Sequence, residues 1–125
     1  LRLKTKIYLA DDSGEKFMGI GVLWLLKAIE EHGSLRKGAA ELSISYSKAY
    51  GMISSLEKNL GVPVIDRRKG GNEHTGAMLT PFGKEFLVLY EEFHSQIKKL
   101  CASPYLAFSG TVEQLIATHR ARDKE

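Results

Sequence analysis

Cysteine is nearly absent: Cys101 stands alone in a chain of 125 residues. A lone thiol closes no internal disulfide and offers no C-x-x-C pair for zinc, so a reducing compartment is expected. Apolar runs such as Val22 to Leu26 fall far short of a membrane span. The opening residues, "LRLKTKIYLADD", interleave charge with apolar side chains and lack the unbroken apolar core of a signal peptide. His32, His74, His94 and His119 are scattered without metal-ligand spacing, and no metal or cofactor is expected. No carboxylate pair or nucleophile–base arrangement suggests catalysis. "KGGNEHTG" is not a nucleotide-binding loop, because its lysine precedes the glycines and no helix begins there. These absences describe a cytoplasmic protein that is neither an enzyme nor a membrane protein.

What is present is ordinary in bulk and specific in order. Hydrophobic residues make up 43% and charged residues 26%, values of a globular chain rather than a disordered one, and the length fits one domain. Eighteen Lys and Arg against 15 Asp and Glu give a net charge of +3, which permits an anionic partner without requiring one.

Leu1, Leu3, Thr5, Ile7 and Leu9 alternate with Arg2, Lys4, Lys6 and Tyr8, as a half-buried strand requires. "DDSG" is a turn, and "EKFM" a returning strand. From Gly21 the period becomes helical, with Val22, Leu25, Leu26 and Ile29 in a stripe that Gly33 closes. Ser34 caps a short second helix through "LRKGAAEL", where Ala39 and Ala40 allow close packing. Ser45 caps a third helix that Gly61 ends.

On a helical wheel Ala49, Met52, Ile53, Leu56 and Leu60 share one face of that third helix. Ser47, Gly51, Ser54 and Lys58 lie opposite, flanked by Lys48, Tyr50 and Ser55. This outer face is small, hydroxylated and cationic, without a carboxylate before Glu57; a merely solvated face normally carries glutamates as well.

"VPVIDRR" and "AMLT" then read as a hairpin whose long tip holds Arg67, Arg68, Lys69, Gly70, Gly71 and Asn72. Thr80 and Pro81 start a last long helix, in which Phe82, Phe86, Leu89, Phe93, Ile97 and Leu100 form a seam for another long helix. "ASPY" is expected to break it, with a short terminal helix beyond carrying a Thr111–Gln114 capping box. Trp24 falls nearly opposite the buried face of the first helix; it either meets a second copy or folds under the C-terminal segment.

Helix, short helix, turn, helix and hairpin make a winged helix-turn-helix. The fold class is thus mostly α with small β-hairpins and a long C-terminal dimerisation helix. Residues 1–100 form the domain, including the dimerisation helix 81–100, and 101–125 form a short extension. The expected partners are double-stranded DNA and a second copy. Serines and lysines of the third helix reach base edges, Gly51 lets its backbone approach, and the cationic hairpin tip meets phosphates. The competing reading is a winged helix that serves as a protein-interaction module without binding DNA.

"GSLRKGAAELSISYSKAY", "GVPVIDRRKGG" and "GAMLTPFGKEFL" together resemble the N-terminal DNA-binding domain of the molybdate-responsive ModE-type transcription regulators. A looser likeness extends to LysR-type regulators. The likeness rests on Gly33-Ser34, Ser45-Tyr46, Gly70-Gly71 and Gly76-Ala77-x-Leu79-Thr80-x-x-Gly83, over roughly residues 14 to 95. It implies a bacterial homodimer on operator DNA, and it adds Ser34, Ser45, Tyr46 and Thr80 to the DNA surface. Two departures stand out. Asn72, Glu73, His74 and Thr75 occupy a wing that is often richer in glycine. The residues after Leu100 do not supply a molybdate-binding domain, so no response to molybdate is expected of these residues.

Overall fold

The structure, a computed structural model, describes residues 1–67 and 77–124, with the backbone alone at Arg67 and Ala77. Its elements are β1 (Tyr8–Ala10), β2 (Lys16–Gly19), α1 (Ile20–His32), α2 (Leu35–Glu41), α3 (Tyr46–Leu60), β3 (Ile65–Arg67), β4 (Ala77–Leu79) and α4 (Pro81–Asp123). The chain divides into two units, Lys6–Glu91 and Leu1–Thr5 with Glu92–Glu125.

Local chemistry sets the boundaries in the larger unit. Asp11 Oδ1 accepts from the backbone N–H groups of Ser13 and Glu15 at 2.9 and 3.0 Å, folding the turn between β1 and β2. The Ser13 hydroxyl above all, then the Glu15 N–H, holds the Asp11 carboxyl below the usual carboxylate range. Gly33 and Gly61 end α1 and α3 with φ of 78° and 73°, in the left-handed region that glycine enters without a steric cost. Ser34 and Ser45 cap α2 and α3, their hydroxyls accepting from Lys37 N–H and Lys48 N–H at 3.0 Å each. Between those two helices Ser43 takes a φ of 57° and Ile44 N–H donates to Ala39 O at 3.0 Å, which makes the turn tight.

The buried face of α1 holds Leu23, Leu25, Leu26, Ala28 and Ile29, broader than the stripe in the sequence, while Val22 is half-buried. Leu23, Leu25, Leu26 and Ile29 meet Ala39 of α2 and Ala49, Ile53 and Leu56 of α3 in one core with Met18, Val64, Ile65 and Leu79. Each fully buried Leu or Ile contributes about 1.5–3 kcal/mol, so this cluster fixes the α2–α3 angle far more firmly than any surface contact. The close approach between α1 and α2 falls at Gly38 rather than Ala40. A Cβ on Gly38 would lie 3.1 Å from Ile29 Cγ1, whereas Ala40 is exposed.

Two expected elements differ. Alternating burial does run through Thr5, Ile7 and Leu9, but only Tyr8–Ala10 pair, with Leu9 opposite Met18. The returning strand is four residues long before α1 begins, so residues 1–7 have no ladder to join. Nor does the chain break at "ASPY": α4 runs from Pro81 to Asp123 with Pro104 inside it. Proline there removes one hydrogen bond, to the Leu100 carbonyl, at a cost of about 3 kcal/mol, and the helix formers around it carry the helix on. Thr111 accordingly caps nothing; its hydroxyl donates back to Ala107 O at 3.0 Å.

The first turns of α4 belong to the same core through Leu87 and Tyr90, neither of which stands in the seam expected from sequence, and through half-buried Phe82 and Phe86. The Tyr90 phenol donates to Ile7 O at 3.3 Å, and burial raises its pKa. Lys27 of α1 pairs with Glu91. In the smaller unit, the Lys98 ammonium donates to the Thr5 carbonyl.

Candidate nucleic-acid interface

The α3 helix presents the face that its sequence pattern defines. Ala49, Ile53 and Leu56 point into the core, with Met52 and Leu60 half-buried beside them. Ser45, Tyr46, Ser47, Lys48, Tyr50, Gly51 and Lys58 are exposed, and Ser54 is half-exposed. A Cβ on Gly51 would meet nothing within 4 Å, so packing gives no reason for a glycine in mid-helix. The first turn of α3 has no acidic residue.

Glu57, the single carboxylate of α3, is drawn to the wing. It accepts from Val64 N–H at 2.8 Å and Ile65 N–H at 3.3 Å, tying the start of β3 to the helix. The outer face is left to hydroxyls, amines and phenols.

The wing is fastened at its other end as well. β3 and β4 pair antiparallel, Ile65 opposite Leu79, Asp66 opposite Met78 and Arg67 opposite Ala77. Thr80 donates through its hydroxyl to Pro63 O at 2.8 Å and accepts from Gly83 N–H at 2.9 Å, capping α4 while holding the wing root. Its hydroxyl proton is therefore used inside the fold. Gly83 permits the junction: a Cβ there would lie 2.2 Å from Val64 O. Arg68, Lys69, Gly70, Gly71 and Asn72 lie outside the described residues, as does the side chain of Arg67.

The caps have a second consequence. Ser34, half-buried, and Ser45 each use a hydroxyl lone pair on their own helix, which leaves the hydroxyl proton available to an outside acceptor. One contact was not legible in the sequence. Arg36 of α2 lies over the Tyr46 ring, Cζ to centroid 4.7 Å, and the Tyr46 and Tyr50 rings are 6.3 Å apart at 35°. Arg36 and Tyr46 are ten positions apart, and no periodicity links them.

Residues named for dimerisation divide by exposure. Trp24 is 54% exposed, Leu89 65%, Phe93 39% and Leu100 70%, whereas Phe86 and Ile97 are half-buried. Among the described residues no helix is long and apolar enough to cross a membrane, and no three His, Cys, Asp or Glu gather as metal ligands.

A capped helix pair at a tight turn, followed by a two-stranded wing locked to the second helix, defines the winged helix-turn-helix class. Residues 21–84 match the family described as bacterial regulatory helix-turn-helix protein, lysR family, and the chain belongs to it. It is 33% identical over 86 residues to the molybdenum-pterin-binding protein MopB of Rhodobacter capsulatus, covering 69% of this chain and 32% of the relative. Against the DNA-binding transcriptional dual regulator ModE of Escherichia coli K12 it is 34% identical over 67 residues, covering 54% of this chain and 26% of that one. The chain thus spans about a third or less of the length of these curated relatives. Among solved structures it is similar to the CbnR DBD–DNA complex, with a TM-score of 0.51, 26% identity and coverage of 69% of this chain and 99% of that one. The BenM DBD complex with catB site 1 DNA gives a TM-score of 0.53 at 25% identity, covering 68% and 89%.

Proposed function

We propose that this chain is a sequence-specific DNA-binding module of a transcription regulator, acting in the cytoplasm as a homodimer. The observation that carries the reading is the outer face of α3. It is exposed, cationic and hydroxylated, has a glycine that packing does not need, and its one carboxylate is turned away to the wing. Ser47, Lys48, Tyr50 and Ser54 then face base edges in the major groove, with Lys58 reaching the backbone. Arg67, Arg68 and Lys69 grip phosphates, while Gly70, Gly71 and Asn72 bring backbone N–H groups close. The relatives support this assignment through the names they carry, ModE as a DNA-binding regulator and the CbnR and BenM domains as DNA complexes.

Residues 1–100 constitute the DNA-binding domain in this account, with 81–100 as its dimerisation segment and 101–125 as an extension. Trp24, Leu89, Phe93 and Leu100 are the exposed apolar side chains that a second copy covers, with Phe86 and Ile97 at the margin. A two-fold axis would set two α3 helices about 34 Å apart, one turn of DNA. Selection of bound sequence from a pool of random duplexes is the direct test. A recovered motif with two related half-sites supports the proposal. Failure to retain any duplex at low salt would favour a protein-interaction module instead.

A further inference from the structure

The α2 helix contributes Leu35, Gly38 and Ala39 to the core, and by that account it only props α3 in place. Arg36 does not fit that role. It is exposed in the first turn of α2, and among the described residues no hydrogen bond or ion pair claims its guanidinium. What holds it is the face of Tyr46, the first residue of α3, at 4.7 Å. Tyr46 is in turn steadied by Tyr50, one helical turn on.

A cation–π contact draws on the charge of the guanidinium, and with five N–H donors Arg36 keeps some of them for an outside acceptor. Such a group is oriented but uncommitted. Its fork of donors matches two oxygens of one phosphate, and a side chain already held in position loses less freedom when it binds. In a helix-turn-helix the helix before the recognition helix crosses the DNA backbone, which brings its exposed first turn to phosphate rather than to base edges.

We infer that Arg36, braced on Tyr46, is a backbone-phosphate clamp that sets the depth and register of α3 in the groove. It is a positioning residue, and the inference rests on the DNA-binding reading above. The brace links the clamp to the recognition helix itself: whatever phosphate Arg36 holds is held at a fixed offset from the first residue of α3.

The test compares the intact 125-residue chain with R36A and R36K on a duplex recovered by selection and on a scrambled duplex of equal length, across a salt series. Loss of one phosphate contact removes about 0.9 from the slope of log K against log salt. That corresponds to about eightfold at 0.1 M salt, ten raised to the power 0.9. R36A is expected to show both changes on the two duplexes, with the larger loss on the selected one, where α3 also loses its register. R36K keeps the charge and should keep the slope, while binding more weakly because the planar fork and its brace are gone; it also guards against a fold defect in R36A. An unchanged slope in R36A overturns the clamp while leaving the DNA reading intact. A loss confined to the selected duplex also overturns it, since Arg36 would then read bases. A wild-type chain that binds neither duplex overturns both proposals.

Discussion

Gly51 separates what the fold needs from what a partner needs. It stands in the middle of α3 with ordinary helical backbone, and a methyl group there would touch nothing within 4 Å. Glycine in a helix interior costs about 0.8–1.0 kcal/mol relative to alanine. Gly51→Ala is therefore expected to stabilise the free protein by about that amount, or roughly 4–8 °C in Tm for a small two-state domain. On DNA the sign reverses. If α3 lies with its backbone close to base edges, the added methyl holds it off, and a tenfold loss of affinity corresponds to about 1.4 kcal/mol. Gly110 supplies the control, because it is also a helical glycine with open space around it, in the later part of α4. Gly110→Ala should gain similar stability and leave DNA affinity alone. Circular dichroism melts and duplex anisotropy on the three proteins decide the matter. A Gly51→Ala protein that is more stable and binds as tightly as wild type would show that nothing approaches this face closely, and the assignment of α3 would fail.

Other substitutions probe the support behind that face. Gly83→Ala drives a Cβ to 2.2 Å from the Val64 carbonyl, a backbone atom that cannot step aside, and overpacking of this kind costs about 1–3 kcal/mol or more. A chemical melt should show it, and an unshifted midpoint would mean that the wing root moves freely. Glu57→Ala leaves Val64 and Ile65 N–H groups without their acceptor and should cost about 1–3 kcal/mol, and it should weaken DNA binding by loosening the wing. Full activity and stability in that variant would remove the tether from the account. Lys48→Ala with Ser47→Ala should cost about 1–3 kcal/mol on the preferred site and relax its sequence preference. Arg67→Ala or Lys69→Ala should instead lower the salt slope by about one unit on any sequence. The reverse pattern would exchange the reading and gripping surfaces. Replacing Leu89 and Phe93 with lysine should convert a dimer in light scattering to a monomer, and a wild-type chain that is monomeric both free and on DNA would rule out the interface.

Much of the fold was legible because helix ends are local chemistry. Ser34, Ser45 and Thr80 cap as their positions suggest, and Gly33 and Gly61 close helices with positive φ, since each interaction spans only a few residues. The inward side of α3 was equally plain, because a period of 3.6 needs no tertiary knowledge. Apart from Pro104, the misses are questions of what the chain meets at a distance. Alternation from Leu1 to Leu9 described a strand correctly in its burial near the end, but pairing depends on the length of the partner, which is four residues. Pro104 looked like a stop, and a proline inside a helix is a cost rather than a prohibition. Leu87 and Tyr90 enter the core where a seam drawn through Leu89 leaves them out, because the first turns of α4 serve the core of their own unit. Arg36 over Tyr46, and Glu57 on the wing, each join residues that no spacing rule connects.

Affinity for duplex DNA measured across a salt series decides whether α3 and the wing form a DNA-binding surface. If the outer face of α3 and the wing hold DNA, log K falls linearly with log salt, with a slope of about 0.9 for each phosphate neutralised, and a selected duplex stays well above a scrambled one throughout. Equal, weak binding to both duplexes with a shallow slope, or none at low salt, would contradict it.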